Sequence, residues 1–111
     1  MDEFRFHDKI FDCPIELFLD LIGGKWKVLI LWNLKEGTKR YGELRKHLKD
    51  VTPKMLTQQL RELEEDGIIA RKVYAEVPPK VEYSLTETGV SIMEVVWVMR
   101  NWGLKYYVEK K

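Results

Sequence analysis

The chain has 111 residues, which is enough for one hydrophobic core but short of two domains. Its formal net charge is +1, with 33% charged and 45% hydrophobic residues, a balance typical of a globular protein and not of a disordered chain. No apolar run could cross a membrane, no signal peptide is recognisable, and the single cysteine fits a reducing compartment. We therefore expect one cytoplasmic domain, residues 1–111.

The first thirteen residues predict an N-terminal arm. Apolar and charged side chains alternate there without a clear period. The arm is expected to dock on the body of the protein, because it contains four large apolar residues: Phe4, Phe6, Ile10 and Phe11. After Cys13, Pro14 can begin a helix that runs to Ile22 and ends at two glycines.

A second helix, from Lys25 to about Lys35, is apolar on nearly all sides and should lie at the centre of the core. A short extended piece around Thr38 to Tyr41 follows. The next helix runs from Gly42 to Leu48, with Arg45, Lys46 and His47 on its outer side.

The stretch from Thr52 to Gly67 predicts the helix that matters most. Threonine is a good N-cap, proline suits the first helical position, and glycine suits the residue after the end. At about 100° per residue, three leucines share one arc of this helix. Four polar residues share the opposite arc: Lys54, Thr57, Gln58 and Arg61.

These four side chains carry the donors and acceptors that suit base edges and phosphates. The acidic residues of the helix crowd its second half, which leaves the N-terminal half open to DNA. Positive charge is also concentrated nearby, with a net +4 from Lys39 to Lys54. With the preceding short helix, residues 42–67 predict a helix-turn-helix whose second helix enters the major groove.

Beyond Gly67 the hydrophobic period changes from 3.6 to 2, and Pro78 and Pro79 separate two alternating segments. Residues 69–85 therefore predict a hairpin directly after the helix-turn-helix, the order of a winged helix. Arg71 and Lys80 on this wing are expected to contact phosphate or the minor groove, like Arg45 and Lys46 before it. The predicted fold class is thus α+β and mainly helical, with a small antiparallel sheet.

Thr86 predicts the cap of a last helix, residues 86–109. Its apolar arc is wider than the 100° or so that one core contact requires, so we expect a homodimer. The expected interface residues are Ile92, Val96, Met99, Trp102 and Tyr106. The alternative is that the N-terminal arm and first helix cover this arc within one chain.

Several motifs together resemble the HxlR-type winged-helix transcriptional regulators, relatives of the MarR class. They are Gly24-Lys25-Trp26, the KMLTQQLRELEEDG helix, the Pro-Pro-Lys-Val-Glu-Tyr wing and Leu85-Thr86. The resemblance covers about Cys13 to Trp102 and implies a homodimer held by its N- and C-terminal helices, with two recognition helices on one DNA face. Thr52-Pro53 departs from the Ile-Ser of many relatives, which puts the operator sequence in doubt but not DNA binding.

Cys13 has two interpretations. It precedes a helix N-terminus, where the dipole favours a thiolate, and the resemblance implies that a cysteine here senses oxidants, quinones or aldehydes. Alternatively it is a buried small hydrophobic residue. An enzyme with Cys13 as nucleophile and His7 as base lacks a third orienting group, and no metal-ligand spacing is present.

The sequence therefore predicts a regulator that binds double-stranded DNA as a homodimer on a pseudo-palindromic operator. We expect no cofactor, no metal and no catalytic activity, and a small reactive effector acting through Cys13 is a further expectation. The alternative function is a winged-helix module that binds only protein.

Overall fold

The computed structural model describes residues 4–6 and 8–111. It confirms the predicted fold class, since helices dominate and the strands form small antiparallel sheets. In chain order the elements are β1 (Phe4–Phe6), β2 (Lys9–Phe11), α1 (Pro14–Ile22), α2 (Trp26–Asn33), β3 (Lys39–Arg40), α3 (Tyr41–His47), α4 (Pro53–Glu65), β4 (Ile69–Tyr74), β5 (Lys80–Leu85) and α5 (Glu87–Lys110). The five helices begin and end within about two residues of their predicted positions, as is usual for helix ends.

The N-terminal arm, where no regular structure was predicted, is a short hairpin. β1 pairs antiparallel with β2, and Asp8 takes a positive φ of 61° in the turn between them. Of the predicted docking residues, Phe11 is buried, whereas Ile10 is exposed. Lys9 Nζ lies 3.2 Å from Asp20 Oδ1, which ties the hairpin to α1. Residues 1–3 and His7 lie outside the described residues.

Helix α2 is central to the core, as its apolar surface predicted. Ile30 and Leu31 are fully buried, and the helix packs against α3, α4 and α5. Leu44 from α3 and three residues from α4 complete the cluster on one side. The helix-turn-helix is therefore fixed to the rest of the molecule through one shared core.

The wing is a three-stranded sheet rather than a simple hairpin. β5 lies in the middle, with β4 on one side and the two-residue β3 on the other. In register, Tyr83 stands between Arg71 of β4 and Lys39 of β3. The extended piece at Thr38 to Tyr41 was predicted, but its pairing with β5 was not.

A compact junction joins α4, the wing and α5. Gly67 ends α4 with a φ of +73°, a conformation that glycine adopts without steric cost. The Thr86 hydroxyl donates toward the carbonyl oxygens of Gly67 and Ile68, at 2.6 and 2.9 Å, and accepts from Gly89 N at 3.2 Å. A Cβ on Gly89 would lie 2.3 Å from the Ile68 oxygen, so only glycine fits there.

Helix α5 extends beyond the core. One face of its N-terminal turns is buried as far as Val96, but every residue from Trp97 to Lys111 is exposed. The radius of gyration, 15.8 Å, exceeds the value of about 13 Å expected for a compact chain of this length. Although α5 is long, no helix among the described residues is long and apolar enough to span a membrane.

Candidate nucleic-acid interface

Helix α4 has one buried face and one exposed face, as the sequence predicted. Leu56, Leu60 and Leu63 are 0–2% exposed and face the core. The four predicted base-contacting side chains are all exposed on the other face: Lys54, Thr57, Gln58 and Arg61. With Pro53 they line one shallow groove along the helix, so the structure brings them together on a single surface.

The N-terminus of α4 is held open to solvent. Thr52 is the N-cap, and its hydroxyl accepts a hydrogen bond from Met55 N at 3.1 Å, which confirms the predicted cap. The Tyr41 hydroxyl lies 3.4 Å from the Pro53 carbonyl oxygen and ties this end to α3. The first turn of α4 contains no acidic residue, so the positive end of the helix dipole is available to a phosphate.

Of the two basic residues predicted to hold phosphates on α3, only Lys46 is exposed. Arg45 is half-buried, and its Nη1 donates a hydrogen bond to the carbonyl oxygen of Val51. That bond closes the turn of the helix-turn-helix. Arg45 therefore has a structural contact that the sequence did not predict, and Lys46 and the exposed His47 are better placed to contact a ligand.

A buried lysine supports the recognition helix from behind. Lys27 on α2 is 7% exposed, and its Nζ donates to Glu62 Oε1 on α4 at 2.8 Å. Gln58 Nε2 in turn donates to Glu62 Oε2 at 3.2 Å. The hydrogen bond from Lys27 holds the pKa of the Glu62 carboxyl below its ordinary value, against the opposing effect of burial.

The sequence analysis did not identify this contact. Lys27 lies in an apolar helix, and its partner is 35 positions away in the chain. The one available signal was Lys27 itself, a charged residue in a helix that is otherwise apolar on nearly all sides. Since lysine is rarely buried unless it is paired, its position indicated a partner.

The wing lies beside α4 and forms a cleft with it. Arg71 Nε on β4 is 3.3 Å from Glu64 Oε1 on α4, so the predicted phosphate ligand already has an acidic partner. The cleft, of about 230 Å³, is lined by Arg61, Tyr83 and four other residues of α4 and β4. Partial burial raises the pKa of the Tyr83 hydroxyl, which therefore stays protonated and can donate to a phosphate oxygen.

Lys80 lies at the start of β5, next to the tip of the wing. Its Nζ is 4.4 Å from the centre of the Tyr74 ring, and Lys72 Nζ lies 4.8 Å from the same ring. The aromatic ring thus holds two cations together on the wing. Lys72 is therefore an additional candidate for phosphate contact.

Residues 21–111 match the model of the HxlR-like helix-turn-helix family. The chain belongs to this family. The resemblance inferred from the sequence motifs is thereby confirmed.

Sequence relatives and solved structures support this family assignment. The chain is 56% identical over 94 residues to YdeP of Bacillus subtilis, an uncharacterized HTH-type transcriptional regulator; the match covers 85% of this chain and 73% of YdeP. It superimposes on the redox regulator HypR in its reduced form with a TM-score of 0.84 at 48% identity, covering 89% of this chain and all of HypR.

A second solved structure is the reduced form of the transcriptional regulator YodB from B. subtilis. Its TM-score is 0.72 at 38% identity, covering 83% of this chain and 91% of YodB. Family, relatives and fold agree that this HxlR-family protein is a DNA-binding transcriptional regulator.

The predicted dimer residues of this HxlR-family chain separate into two groups. Ile92 and Val96 are 8% and 3% exposed and belong to the chain's own core, so the structure corrects their placement on an open surface. Met99, Trp102 and Tyr106 are about half exposed or more, and the last two rings stack with centres 5.1 Å apart. In the sequence the apolar arc runs along the whole helix. In the structure the first three turns of α5 pack against α2 and β5.

Cys13 is exposed at the N-cap of α1, with its side chain making no capping hydrogen bond. The interpretation as a buried small hydrophobic residue does not hold within one chain. Among residues 4–6 and 8–111, no group of three or more histidine, cysteine or acidic residues could hold a metal. The histidine considered as a base, His7, lies outside the described residues.

Proposed function

We propose that this regulator acts in the cytoplasm as a homodimer that places α4 of each copy in successive major grooves of a pseudo-palindromic operator. The observation that carries the proposal is the exposed face of α4. Its four polar side chains lie together on one side of a helix whose leucines are fixed in the core, and three of the four are in its open N-terminal half. Such a helix presents donors and acceptors to base edges without exposing its own apolar side.

Within this proposal, Arg61 and Gln58 contact bases, and Thr57 and Lys54 contact bases or phosphates closer to the helix start. Lys46, Arg71 and Lys80 hold phosphates on either side of the groove. Support for Arg71 comes from the cleft that the wing forms with α4, which Arg71 shares with Arg61. Lys80 lies near the wing tip, in a separate groove with Arg40 and Tyr41. Arg45 contributes through the turn that it closes.

The second copy is proposed to cover the C-terminal half of α5. From Trp97 onward this helix exposes a large apolar surface, with Trp102 65% exposed and Tyr107 59% exposed. An interface of about 800 Å² per subunit would be of standard size for a stable complex. A partner of the same sequence offers an identical surface, as two-fold symmetric dimers require.

The test is selection of bound sequences from a random duplex pool, followed by titration of the selected operator at several salt concentrations. We expect two inverted half-sites separated by about 10 to 10.5 base pairs or a multiple. Affinity should fall steeply with salt, because each phosphate contact releases a counterion. Failure to enrich any sequence, together with salt-independent binding of a protein partner, would support the alternative of a protein-binding module.

A redox-responsive effector step is the second part of the proposal. Support comes from the exposed position of Cys13 and from the likeness to HypR, a redox regulator. Because the chain has one cysteine, a disulfide could form only with a second copy or with a small thiol, with two electrons passing to the oxidant. No catalytic role is proposed for Cys13.

The oxidant experiment compares wild type with Cys13→Ser in a gel shift before and after treatment with hydrogen peroxide or diamide. We expect wild-type binding to change and to recover with a reductant, while Cys13→Ser binds equally in both conditions. A non-reducing gel distinguishes the two disulfide products by mass. Equal oxidant responses of both proteins would remove Cys13 from the mechanism.

A further inference from the structure

A chain of three polar side chains runs from the core to the DNA-facing surface. Lys27, buried on α2 outside the helix-turn-helix, donates to Glu62 Oε1 at 2.8 Å. The other oxygen of the same carboxylate accepts from the exposed Gln58 amide at 3.2 Å. One carboxylate therefore joins a buried cation to a side chain at the surface.

The hydrogen bonding of the Gln58 amide is compatible with simultaneous base contact. A glutamine amide has two N–H donors and one carbonyl acceptor, and the bond to Glu62 uses one donor. A bidentate contact to adenine uses the carbonyl oxygen and the N–H on the same side of the amide, which both remain when Glu62 accepts from the other N–H. Glu62 can thus orient the amide without occupying the atoms that a base would need.

Orienting this side chain before binding has a thermodynamic consequence. A solvent-exposed glutamine samples several rotamers, and fixing one of them on DNA costs conformational entropy. A side chain that is already oriented loses less, and an amide held in one orientation cannot turn to suit a different base. Glu62 itself is fixed because Lys27 is buried and holds it from inside the protein.

We propose that Lys27 is a positioning residue for base selection: it fixes the Glu62 carboxylate, which orients the Gln58 amide toward the groove. This inference rests on the proposed function, in which Gln58 contacts a base. A purely structural ion pair, which only anchors α4 to α2, would affect all operator positions equally. The orienting role affects the one base pair that Gln58 contacts.

The test measures base preference in five proteins by titrating the selected operator and its single-base variants. They are wild type, Gln58→Ala, Lys27→Met, the double variant Lys27→Met/Glu62→Met, and Glu65→Met as a control. The double variant replaces both members of the ion pair with apolar side chains of similar volume, a change that proteins often tolerate without loss of stability. Glu65 is exposed on the same helix, so its variant controls for the loss of a negative charge.

We expect Gln58→Ala to abolish the preference at one base pair. Lys27→Met and the double variant should reduce preference at that same base pair by about 3- to 10-fold, part of the roughly 5- to 150-fold that a bidentate contact provides. Preference at the other positions should be unchanged, and Glu65→Met should keep the wild-type preference throughout. If the methionine variants fail to fold, Glu62→Gln replaces them and should relax the same base pair.

Two results would overturn the inference while leaving the proposed function intact. One is wild-type preference at the Gln58 base pair in the double variant. The other is an equal loss at every position, which would assign the ion pair a structural role only. If Gln58→Ala changes no position, the proposed base contact itself is wrong, and this result is recognisable whatever the Lys27 variants do.

Discussion

The exposed face of α4 and the C-terminal half of α5, which is exposed on all sides, present different chemistry to solvent. The exposed side of α4 is polar, with Gln58 and Arg61 at its centre. The C-terminal half of α5 carries an apolar and aromatic stripe, on which Trp102 and Tyr106 stack. Water satisfies the polar groups of α4, whereas the apolar area of α5 remains unfavourably hydrated until another surface covers it.

This difference separates two kinds of binding. A polar face is stable alone and gains free energy only from a partner with matching donors, acceptors and charges, which gives selectivity. An apolar face gains from any close-packed cover, which gives affinity. We therefore expect substitutions on α5 to change the oligomeric state and substitutions on α4 to change which DNA is bound.

The largest effect is expected from Trp102→Glu. A charge in the middle of an apolar interface must be desolvated without a partner, so the dimer should be weakened by about 2 kcal/mol or more. Sedimentation equilibrium measures the shift toward monomer. Asn101→Glu adds the same charge one residue away, outside the apolar arc of α5, and should leave the dimer nearly intact. Equal sedimentation of both variants as dimers would exclude Trp102 from the interface.

The next largest effect is expected from Arg61→Ala on α4. Loss of a bidentate contact to guanine should cost about 1 to 3 kcal/mol and relax one operator position in each half-site. Titration with single-base operator variants measures the change. Arg100→Ala makes the same replacement on α5 and should keep the base preference. An unaltered preference in Arg61→Ala would show that α4 does not select bases through this residue.

A smaller and uniform effect is expected from Lys80→Ala on the wing. If Lys80 neutralises one phosphate, the variant should bind all sequences more weakly and lower the salt slope by about one unit. Comparing affinities for operator and unrelated duplex at several salt concentrations provides the measurement. A loss restricted to the operator would instead assign Lys80 to base selection.

The smallest effect concerns pH and the buried side of α4. Because Lys27 lowers the pKa of folded Glu62, the ion pair stabilises the protein fully above the unfolded pKa of about 4.5 and less as pH falls through the lower folded value. The wild-type urea midpoint should therefore fall more between pH 5 and pH 3 than that of Glu62→Gln. The two proteins should differ by about 1 kcal/mol or less in how much free energy of unfolding they lose over this pH range, since Glu62 is partly exposed. If the urea midpoints of the two proteins fall equally with pH, the ion pair contributes little to stability.

Local patterns in the sequence predicted most of the fold. Helix α4 has a cap, a first-turn proline and a terminal glycine within sixteen residues, and its leucines recur at helical spacing, so neither its ends nor its buried face required tertiary information. The wing followed from the change in hydrophobic period. The pairing of β3 with β5 could not be predicted in this way, because two residues are too few to show a period.

The candidate site was predicted only where local patterns determine it. Exposure of Gln58 and Arg61 followed from periodicity, but the contacts of Arg45 with Val51 and of Lys27 with Glu62 depend on how helices pack. The apolar arc of α5 gave no sign of where burial ends. That point is set by the size of the core, since a helix of 24 residues is about 36 Å long and extends past it.

Only Thr86 separates the last strand of the wing from α5, and its hydroxyl holds the carbonyl oxygens at the end of α4. The wing and the long helix are therefore joined closely at this residue. In a pair of molecules joined along α5, the crossing angle of the two long helices would set how far apart the two wings stand. In the proposed dimer on DNA, a change in that angle would alter the distance between the wings relative to the pitch of the duplex, so the junction at Thr86 would link assembly to spacing along DNA.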